Sequence, residues 1–406
     1  MRLLWIATKA PWPPADGGRL LLLESLSALA ATSAVEVTLI APVPRGELAA
    51  AEEALRPFCR PRLVATRPRS RAVSALAAVA SGRPYSVARH DLPDLARAVA
   101  RELAEPGERP YRLVVAEQLQ AFASSAPAVP WGLPRVLRAQ NVESDLWRQL
   151  GEASGGIARS LLLRESVRLA RAERAAVAAA AATIALSEAD GERLRALVPG
   201  GAAVEVLAPP FPGELAGGTQ RLAGDPAMVL FGSSGWEPNR RGERRFVDEI
   251  WPRVRAASPG ALLHWFGATA DGRARTERPG VYVHRAPASS AEAFAPGAVL
   301  VLPLDIASGV RMRILEAWAR GVVIVASPAA ASGLHAGDGR ELLLARNAEQ
   351  FAVAVERLRT MPGLADRLIR GGRARLAADH APARFAARFA ALADRLVEGA
   401  AGAGQR

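Results

Sequence analysis

Residues 299–327 constrain the fold of this chain more than any other stretch. Residues 299–304 form a short apolar run, as expected for a parallel strand that is buried on both faces. A turn containing Gly309 follows, then a helix predicted from Val310 to Arg320, with Gly321 as its C-terminal stop. Val322 begins the next apolar run. A strand, a helix and a second strand in this order predict one unit of a parallel α/β sheet.

The start of this predicted helix carries the groups of an anion site. Backbone N–H groups, the helix dipole and two guanidinium groups would hold a phosphate there. The residues concerned are Ser308, Gly309, Val310, Arg311 and Arg313. Glu316 lies about 6–10 Å further along the axis at ~1.5 Å per residue, where a carboxylate would accept the ribose hydroxyls of a nucleotide. The spacings of Arg313, Glu316 and Arg320 equally fit surface ion pairs, so residue types alone leave both interpretations open.

Length, charge and composition limit the class of protein. A chain of 406 residues is long enough for two domains with their own cores. The formal net charge of +12 suits anionic substrates or an anionic membrane face, although a solvated basic surface explains it equally. Lys9 is the only lysine, and this arginine- and alanine-rich composition favours a GC-rich bacterial genome. Because no basic run is interleaved with aromatic residues, nucleic acid is not an expected partner.

The sequence offers no disulfide and no metal cluster. Cys59 is the only cysteine, and the histidines are scattered without ligand spacing. The N-terminal apolar piece is too short for a signal peptide, and no uninterrupted apolar window of about 18 residues occurs. The expected localisation is therefore cytoplasmic, with peripheral contact at the inner face of the cell membrane where the basic charge favours it.

Strand and helix patterns alternate along most of the chain, which predicts doubly wound parallel sheets. Residues 1–200 form the first predicted domain, and a glycine- and proline-rich linker follows at 201–227. A second α/β domain is predicted at 228–381. Residues 382–398 form a C-terminal amphipathic helix that could pack back on the first domain, and 399–406 are a loose tail.

Five segments, in order along the chain, resemble a known family. They are PWPPADGGR at 11–19, RAQNVESDLW at 138–147, TIALSEAD at 183–190, FGSSGWEPNRRG at 231–242 and LPLDIASGVRMRILEAWARG at 302–321. The last resembles the signature LxxGSGxRxKILEAxAxG. On these motifs the chain resembles the retaining glycosyltransferases of family four, also called group one. The resemblance implies the GT-B fold, in which two Rossmann-like doubly wound domains face each other across a cleft.

The same resemblance implies an activity. A sugar would move from a nucleotide-sugar donor to a hydroxyl group with retention, and without a metal or other cofactor. A UDP- or GDP-sugar is expected rather than an ADP-sugar. The acceptor would be a glycan, a lipid-linked sugar or a small molecule, and the N-terminal domain would be the acceptor side.

Individual roles follow from the matched motifs. The catalytic residues implied are Gln140, Arg313 and Glu316. The donor-binding residues implied are Gly17, Gly18, Ser234, Arg240, Arg241, Ser308, Gly309, Val310, Arg311, Arg313 and Glu316. For Arg240 and Arg241 a solvated charge run is the alternative, and for the two glycines a plain turn. Glu143 and Asp145 would be acceptor-side carboxylates or, more simply, caps of the helix that follows.

Several positions depart from the family pattern. Arg313 stands where lysine is usual, Ser308 replaces the first glutamate of the E-x7-E pattern, and Gln140 replaces a histidine. Gln140 can hydrogen-bond a sugar but cannot carry a proton. These losses keep an alternative open, in which the chain is a non-catalytic relative that serves as a binding or assembly subunit.

Overall fold

Buried apolar strands alternate with helices and build two parallel sheets, each in its own unit of the chain. In the computed structural model the described residues are 1–66, 70–105, 107, 109–231, 236–267, 278–287 and 289–403. The first unit consists of Met1–Pro210, Ser308–Val310 and Pro382–Arg406, and the second of Phe211–Ala307 and Arg311–Ala381. The predicted α/β class with doubly wound parallel sheets is confirmed.

The first sheet contains seven parallel strands. They are β1 (Arg2–Ile6), β2 (Glu36–Pro44), β3 (Arg60–Thr66), β4 (Leu113–Glu117), β5 (Arg135–Ala139), β6 (Ala182–Ala185) and β7 (Val204–Val206). Their order is β3-β2-β1-β4-β5-β6-β7, so the direction of strand addition reverses between β1 and β4. Ligands of doubly wound sheets bind at the carboxyl ends of the strands beside such a switch point.

Helices cover both faces of this sheet. They are α1 (Gly17–Ala30), α2 (Leu48–Leu55), α3 (Arg71–Ser81), α4 (Tyr85–His90), α5 (Pro93–Ala104), α6 (Leu119–Phe122), α7 (Glu143–Glu152), α8 (Gly156–Ala179) and α9 (Glu188–Leu197). Successive side chains of β1 enter two different core clusters. Leu3 and Trp5 pack in one cluster, and Leu4 and Ile6 pack in the other. Because side chains alternate along a strand, these clusters lie on opposite faces of the sheet.

The second sheet has six parallel strands in the order β10-β9-β8-β11-β12-β13. They are β8 (Ala227–Phe231), β9 (Leu262–Phe266), β10 (Val281–His284), β11 (Val299–Leu302), β12 (Val323–Ala326) and β13 (Leu343–Leu344). Its helices are α10 (Glu237–Arg245), α11 (Trp251–Ala257), α12 (Met312–Ala319), α13 (Pro328–Ala331), α14 (Ala348–Thr360) and α15 (Leu364–Asp379). The switch point of this sheet lies between β8 and β11.

The C-terminal helix, α16 (Pro382–Ala403), belongs to the first unit. Its Phe385 and Phe389 are buried in the core cluster that contains Trp5. The Phe389 ring stacks on the Trp5 indole, with centroids 5.6 Å apart and an interplanar angle of 17°. This contact fixes the last helix against β1 of the first sheet.

Two local features differ from the sequence-based expectations. The helix predicted from Val310 begins at Met312, because Arg311 has extended backbone angles, φ −81° and ψ 96°. Residues 201–227, expected as linker, contain the edge strand β7.

Gly321 has φ 67°, the left-handed conformation expected of the residue after a helix end. Within the described ranges, no helix is both long and apolar enough to cross a bilayer.

Replacing Phe389 with alanine should destabilise the chain, because the side chain is 1% exposed and fills the core beside Trp5. The expected loss is about 3–5 kcal/mol in the free energy of unfolding, measured by urea denaturation. Arg395→Ala on the same helix is the control, since its ion pair with Glu205 is exposed. Equal stability of the two variants would contradict the packing role of α16.

Candidate functional site

An ion-pair cluster forms around a buried carboxylate of α12 in the second unit. Glu316 is 3% exposed, and both of its carboxylate oxygens accept hydrogen bonds. Arg313 donates to Oε2 at 2.7 Å, while Arg320 donates to Oε1 through Nε and Nη2 at 3.2 Å. Ser290 donates its hydroxyl to Oε1 as well. The two helix ion pairs expected from these spacings are therefore formed, but they are not surface pairs, because the carboxylate that they share is buried.

The guanidinium of Arg313 lies at the switch point of the second sheet. Its central carbon is 4.0 Å from the ring centroid of Phe231, the last residue of β8. Strand β8 pairs directly with β11, which leads into the loop before α12. The cation is thus held at the carboxyl ends of two adjacent strands, by a carboxylate on one side and an aromatic face on the other.

Further arginines lie at the same edge of the second sheet. Arg241 of α10 donates to Asp305 at 2.5 Å, in the loop that follows β11. The guanidinium of Arg311 lies 5.0 Å from the ring of Trp236. Arg240, in contrast, forms a hydrogen bond with Glu237 on its own helix at 2.9 Å. Ser234, a predicted donor contact, lies outside the described residues.

Ser308, Gly309 and Val310 are grouped with the first unit rather than the second. The Ser308 hydroxyl accepts from the Val142 N–H at 2.9 Å and donates to Asp190 at 3.3 Å. Gly309 has φ 71°, and a Cβ there would lie 2.2 Å from the Gln140 carbonyl oxygen. The sequence had suggested that the N–H groups of these residues belong to the start of α12. In the structure all three residues precede that helix, so they do not form its first turn.

The predicted residues of the first unit meet at its switch point. Gly17 and Gly18 open α1, and a Cβ on Gly18 would lie 2.7 Å from the Gln140 amide oxygen. The Gln140 amide donates to Glu117 at 2.7 Å and accepts from Gln118 at 2.5 Å. Gly18 therefore permits a close approach, and the Gln140 side chain is oriented by two partners at the end of β4.

A buried charge pair supports this arrangement. Arg138 is fully buried and donates to both carboxylate oxygens of Glu117, at 3.0 and 3.1 Å. Glu117 also accepts from the Trp5 indole at 2.9 Å. The next residue, Gln118, has φ 70° and ψ 158°, a conformation that side-chain-bearing residues avoid. Such strain persists only where surrounding contacts enforce it. Here the strained backbone brings the Gln118 side-chain amide into hydrogen-bonding distance of Gln140.

Lys9 lies in the loop after β1 at the same switch point. Its ammonium group donates to Asp16 at 2.7 Å, and Asp16 caps α1 by accepting from the Arg19 N–H at 3.0 Å. Burial would raise the pKa of Asp16, but Lys9 and Arg19 together hold that pKa below its ordinary value. Glu117, Gln118 and Lys9 were missed as site residues. Only Lys9 gave a signal, as the sole lysine of the chain.

The start of α7 is capped by a different residue from the one expected. Glu173 of α8 accepts from the N–H groups of Glu143 and Ser144, at 2.6 and 3.1 Å, and from the Ser144 hydroxyl. Val142, the residue before α7, makes no side-chain cap. Burial raises the pKa of Glu173 to about 7, despite its hydrogen bonds to Ser144. Burial likewise raises the pKa of Glu143.

A cavity of about 920 Å³ lies elsewhere, at the amino ends of β1, β2 and β3. Its lining includes Arg2, Glu36 and Arg60 but none of the predicted site residues. Since ligands of doubly wound sheets bind at the opposite edge, this cavity is separate from the candidate site. Across the described part of the chain, no three His, Cys, Asp or Glu side chains cluster closely enough to hold a metal ion.

Comparison with known proteins gives one family match, in the second half of the chain. Residues 225–361 match the family model described as Glycosyl transferases group 1, a stretch that holds most of the second unit. No match is found among curated protein sequences.

Solved structures match over nearly the whole chain. HepE from Anabaena, solved in complex with UDP-glucose, is 15% identical with a TM-score of 0.66, over 97% of this chain and all of that one. Sucrose-phosphate synthase from Thermosynechococcus elongatus is 15% identical with a TM-score of 0.72, over 98% of this chain and all of that one. At such identities the likeness shows the fold alone, and it confirms the GT-B fold.

The raised pKa of Glu173 predicts a pH-dependent stability. Between about pH 4.5 and about pH 7 the folded chain holds a proton that the unfolded chain releases, so the free energy of unfolding should fall as pH rises. The expected contribution is at most roughly 3 kcal/mol. Glu173→Gln stays neutral and should make this slope shallower in urea denaturation, although the raised pKa values of Glu143 and Glu243 leave part of it, whereas Glu152→Gln at an exposed site should not change it. Parallel curves for all three proteins would exclude a protonated Glu173.

Proposed function

We propose that this chain, which carries a glycosyl transferases group 1 domain at residues 225–361 and has the GT-B fold, is a retaining, metal-independent glycosyltransferase. Its donor would be a UDP- or GDP-sugar, and its acceptor a hydroxyl of a glycan, a lipid-linked sugar or a small molecule. The observation that carries the proposal is the ion pair of Arg313 with the buried Glu316 carboxylate at the switch point of the second sheet.

The chemistry needs a fixed positive charge beside the leaving group. When the bond from the sugar carbon to the diphosphate oxygen breaks, negative charge grows on the diphosphate. Arg313 would neutralise that charge, because Glu316 and the Phe231 ring hold its guanidinium in place before the donor arrives. A guanidinium presents a planar fork of donors, which suits two oxygens of one phosphate.

Glu316 would also bind the donor directly. A carboxylate has about four lone-pair positions, and Oε2 of Glu316 accepts only from Arg313 among the hydrogen bonds seen here. The remaining position on Oε2 is available for a ribose hydroxyl. Arg241 and Arg311 lie at the same edge of the sheet and would contact the diphosphate.

Retention requires the acceptor to attack from the face that the leaving group vacates. In this scheme the acceptor oxygen forms a bond to the sugar carbon while the bond from that carbon to the diphosphate oxygen breaks. The leaving phosphate oxygen takes the proton of the acceptor hydroxyl. No side chain then has to act as the base. Gln140 would contribute only hydrogen bonds, in keeping with an amide that cannot titrate.

HepE, a protein of the same fold, was solved with UDP-glucose, UDP and glucose, and this supports a uridine nucleotide as donor carrier. The match to the group 1 model does not favour the alternative of a non-catalytic subunit. Incubation with a panel of UDP-, GDP- and ADP-sugars separates the two hypotheses. Release of UDP or GDP from its sugar supports the transferase. If no nucleotide sugar of the panel is consumed, whether a glycan, a lipid-linked sugar or a small molecule is offered as acceptor, the result supports the binding subunit.

Arg313→Ala and Glu316→Ala should each weaken binding of UDP or GDP by roughly 1–3 kcal/mol, the range for lost charge-assisted hydrogen bonds. Titration calorimetry measures the change directly. Glu356 and Arg359 offer a matched control, since they form an ion pair of the same spacing on an exposed helix face. Alanine at either control position should leave nucleotide affinity unchanged, and unaltered affinity in both site variants would refute the proposed donor site.

A further inference from the structure

Helix α3 presents an apolar face to solvent. Only Ser74 and Ala78 of its eleven residues are buried, and these two small side chains seat the helix on the rest of the unit. On the outer side, Val73, Leu76 and Val79 are 54%, 70% and 79% exposed. They recur every three residues and therefore form one row along the helix.

Such a face is unusual for a helix at a protein surface. Surface helices normally turn charged and polar residues outward and apolar residues toward the core. In α3 the residues between the exposed aliphatics are also small and apolar, and Arg71 is its only charged residue. Contiguous exposed apolar surface marks a place where another phase or molecule binds.

The surroundings of this face are basic. From Arg71 to His90 the sequence contains three arginines and no Asp or Glu. These arginines, Arg71, Arg83 and Arg89, are all exposed. Arg83 shares its charge with Asp91 at 2.5 Å, whereas Arg71 and Arg89 contact no carboxylate in the described part of the chain.

The helix is also held firmly from behind. Arg168 of α8 donates to the carbonyl oxygens of Ala78 and Arg83, at 3.3 and 2.7 Å, and pairs with Glu165 at 3.1 Å. Glu165 in turn accepts from the Tyr85 N–H. The C-terminal end of α3 and the start of α4 are thus tied to one long helix, so the apolar row is presented in a fixed orientation.

We propose that the exposed face of α3 binds the surface of an anionic lipid bilayer, with Val73, Leu76 and Val79 inserted between the headgroups. A short helix with an aliphatic face and flanking arginines is the composition expected of an interfacial element. Anionic lipid attracts each nearby arginine, and Arg71 and Arg89 have no carboxylate partner among the described residues.

A membrane fits this face better than a protein partner does. The cores of protein–protein interfaces are enriched in aromatic residues and methionine, whereas this row holds only valine and leucine. Vesicle binding does not require catalysis, so the proposal can fail while the proposed transferase activity holds.

The test is co-sedimentation of the full chain with sucrose-loaded vesicles. Wild type should bind vesicles of phosphatidylcholine mixed with phosphatidylglycerol at low salt, and much less to phosphatidylcholine alone. Binding to the anionic vesicles should weaken at high salt, because screening shortens the reach of the arginine charges. Leu76→Ser combined with Val79→Ser should lower the partition coefficient at least about tenfold.

The control is Val353→Ser combined with Met361→Ser, which removes one exposed apolar side chain of α14 and one directly after it, near Glu356. Because all four side chains are exposed, both variants should keep the wild-type melting temperature and circular dichroism. The proposal is overturned if wild type stays in the supernatant, or if the α3 variant binds as well as the control. It is equally overturned if sedimentation equilibrium shows that α3 joins two copies of the chain.

Discussion

The ion pair between Arg313 and Glu316 is the interaction on which the account of function depends. Burying a charge is costly unless a partner neutralises it, and here one buried carboxylate serves two guanidinium groups. Because the Phe231 ring packs against the Arg313 guanidinium, the cation stays at the switch point of the second sheet. The second unit therefore keeps a fixed positive charge where nucleotides bind in doubly wound folds.

The first unit uses the same architectural position for a different purpose. At its switch point the buried Arg138–Glu117 pair neutralises itself, and its spare hydrogen-bonding capacity orients the neutral amide of Gln140. The strained backbone of Gln118 adds a second amide to the network. The carboxyl edge of the second sheet thus carries cations suited to a diphosphate. The carboxyl edge of the first sheet carries neutral hydrogen-bonding groups suited to sugar hydroxyls.

Much of the fold could be predicted because its signals are local. The apolar run that became β11 and the helix stop at Gly321 both depend on residues close in sequence. The start of α12 was placed two residues early, since the extended backbone at Arg311 has no local marker. The grouping of Ser308–Val310 with the first unit depends on contacts with residues far away along the chain.

The candidate site was only partly predictable for the same reason. Arg313 and Glu316 share a motif, but their burial depends on Ser290 and Phe231, which lie on other elements. The left-handed φ of Gln118 and the capping of α7 by Glu173 have no sequence signature at all. The exposed row on α3 could be recognised only once the buried side of that helix was known.

The most direct test of the account is a comparison of UDP with uridine as ligands of wild type and Arg313→Ala. If the guanidinium binds the diphosphate, the substitution should weaken UDP binding and leave uridine binding unchanged. The gap in binding free energy between the two ligands would then shrink in the variant. An equal loss for both ligands, or no loss for either, would contradict the role assigned to Arg313.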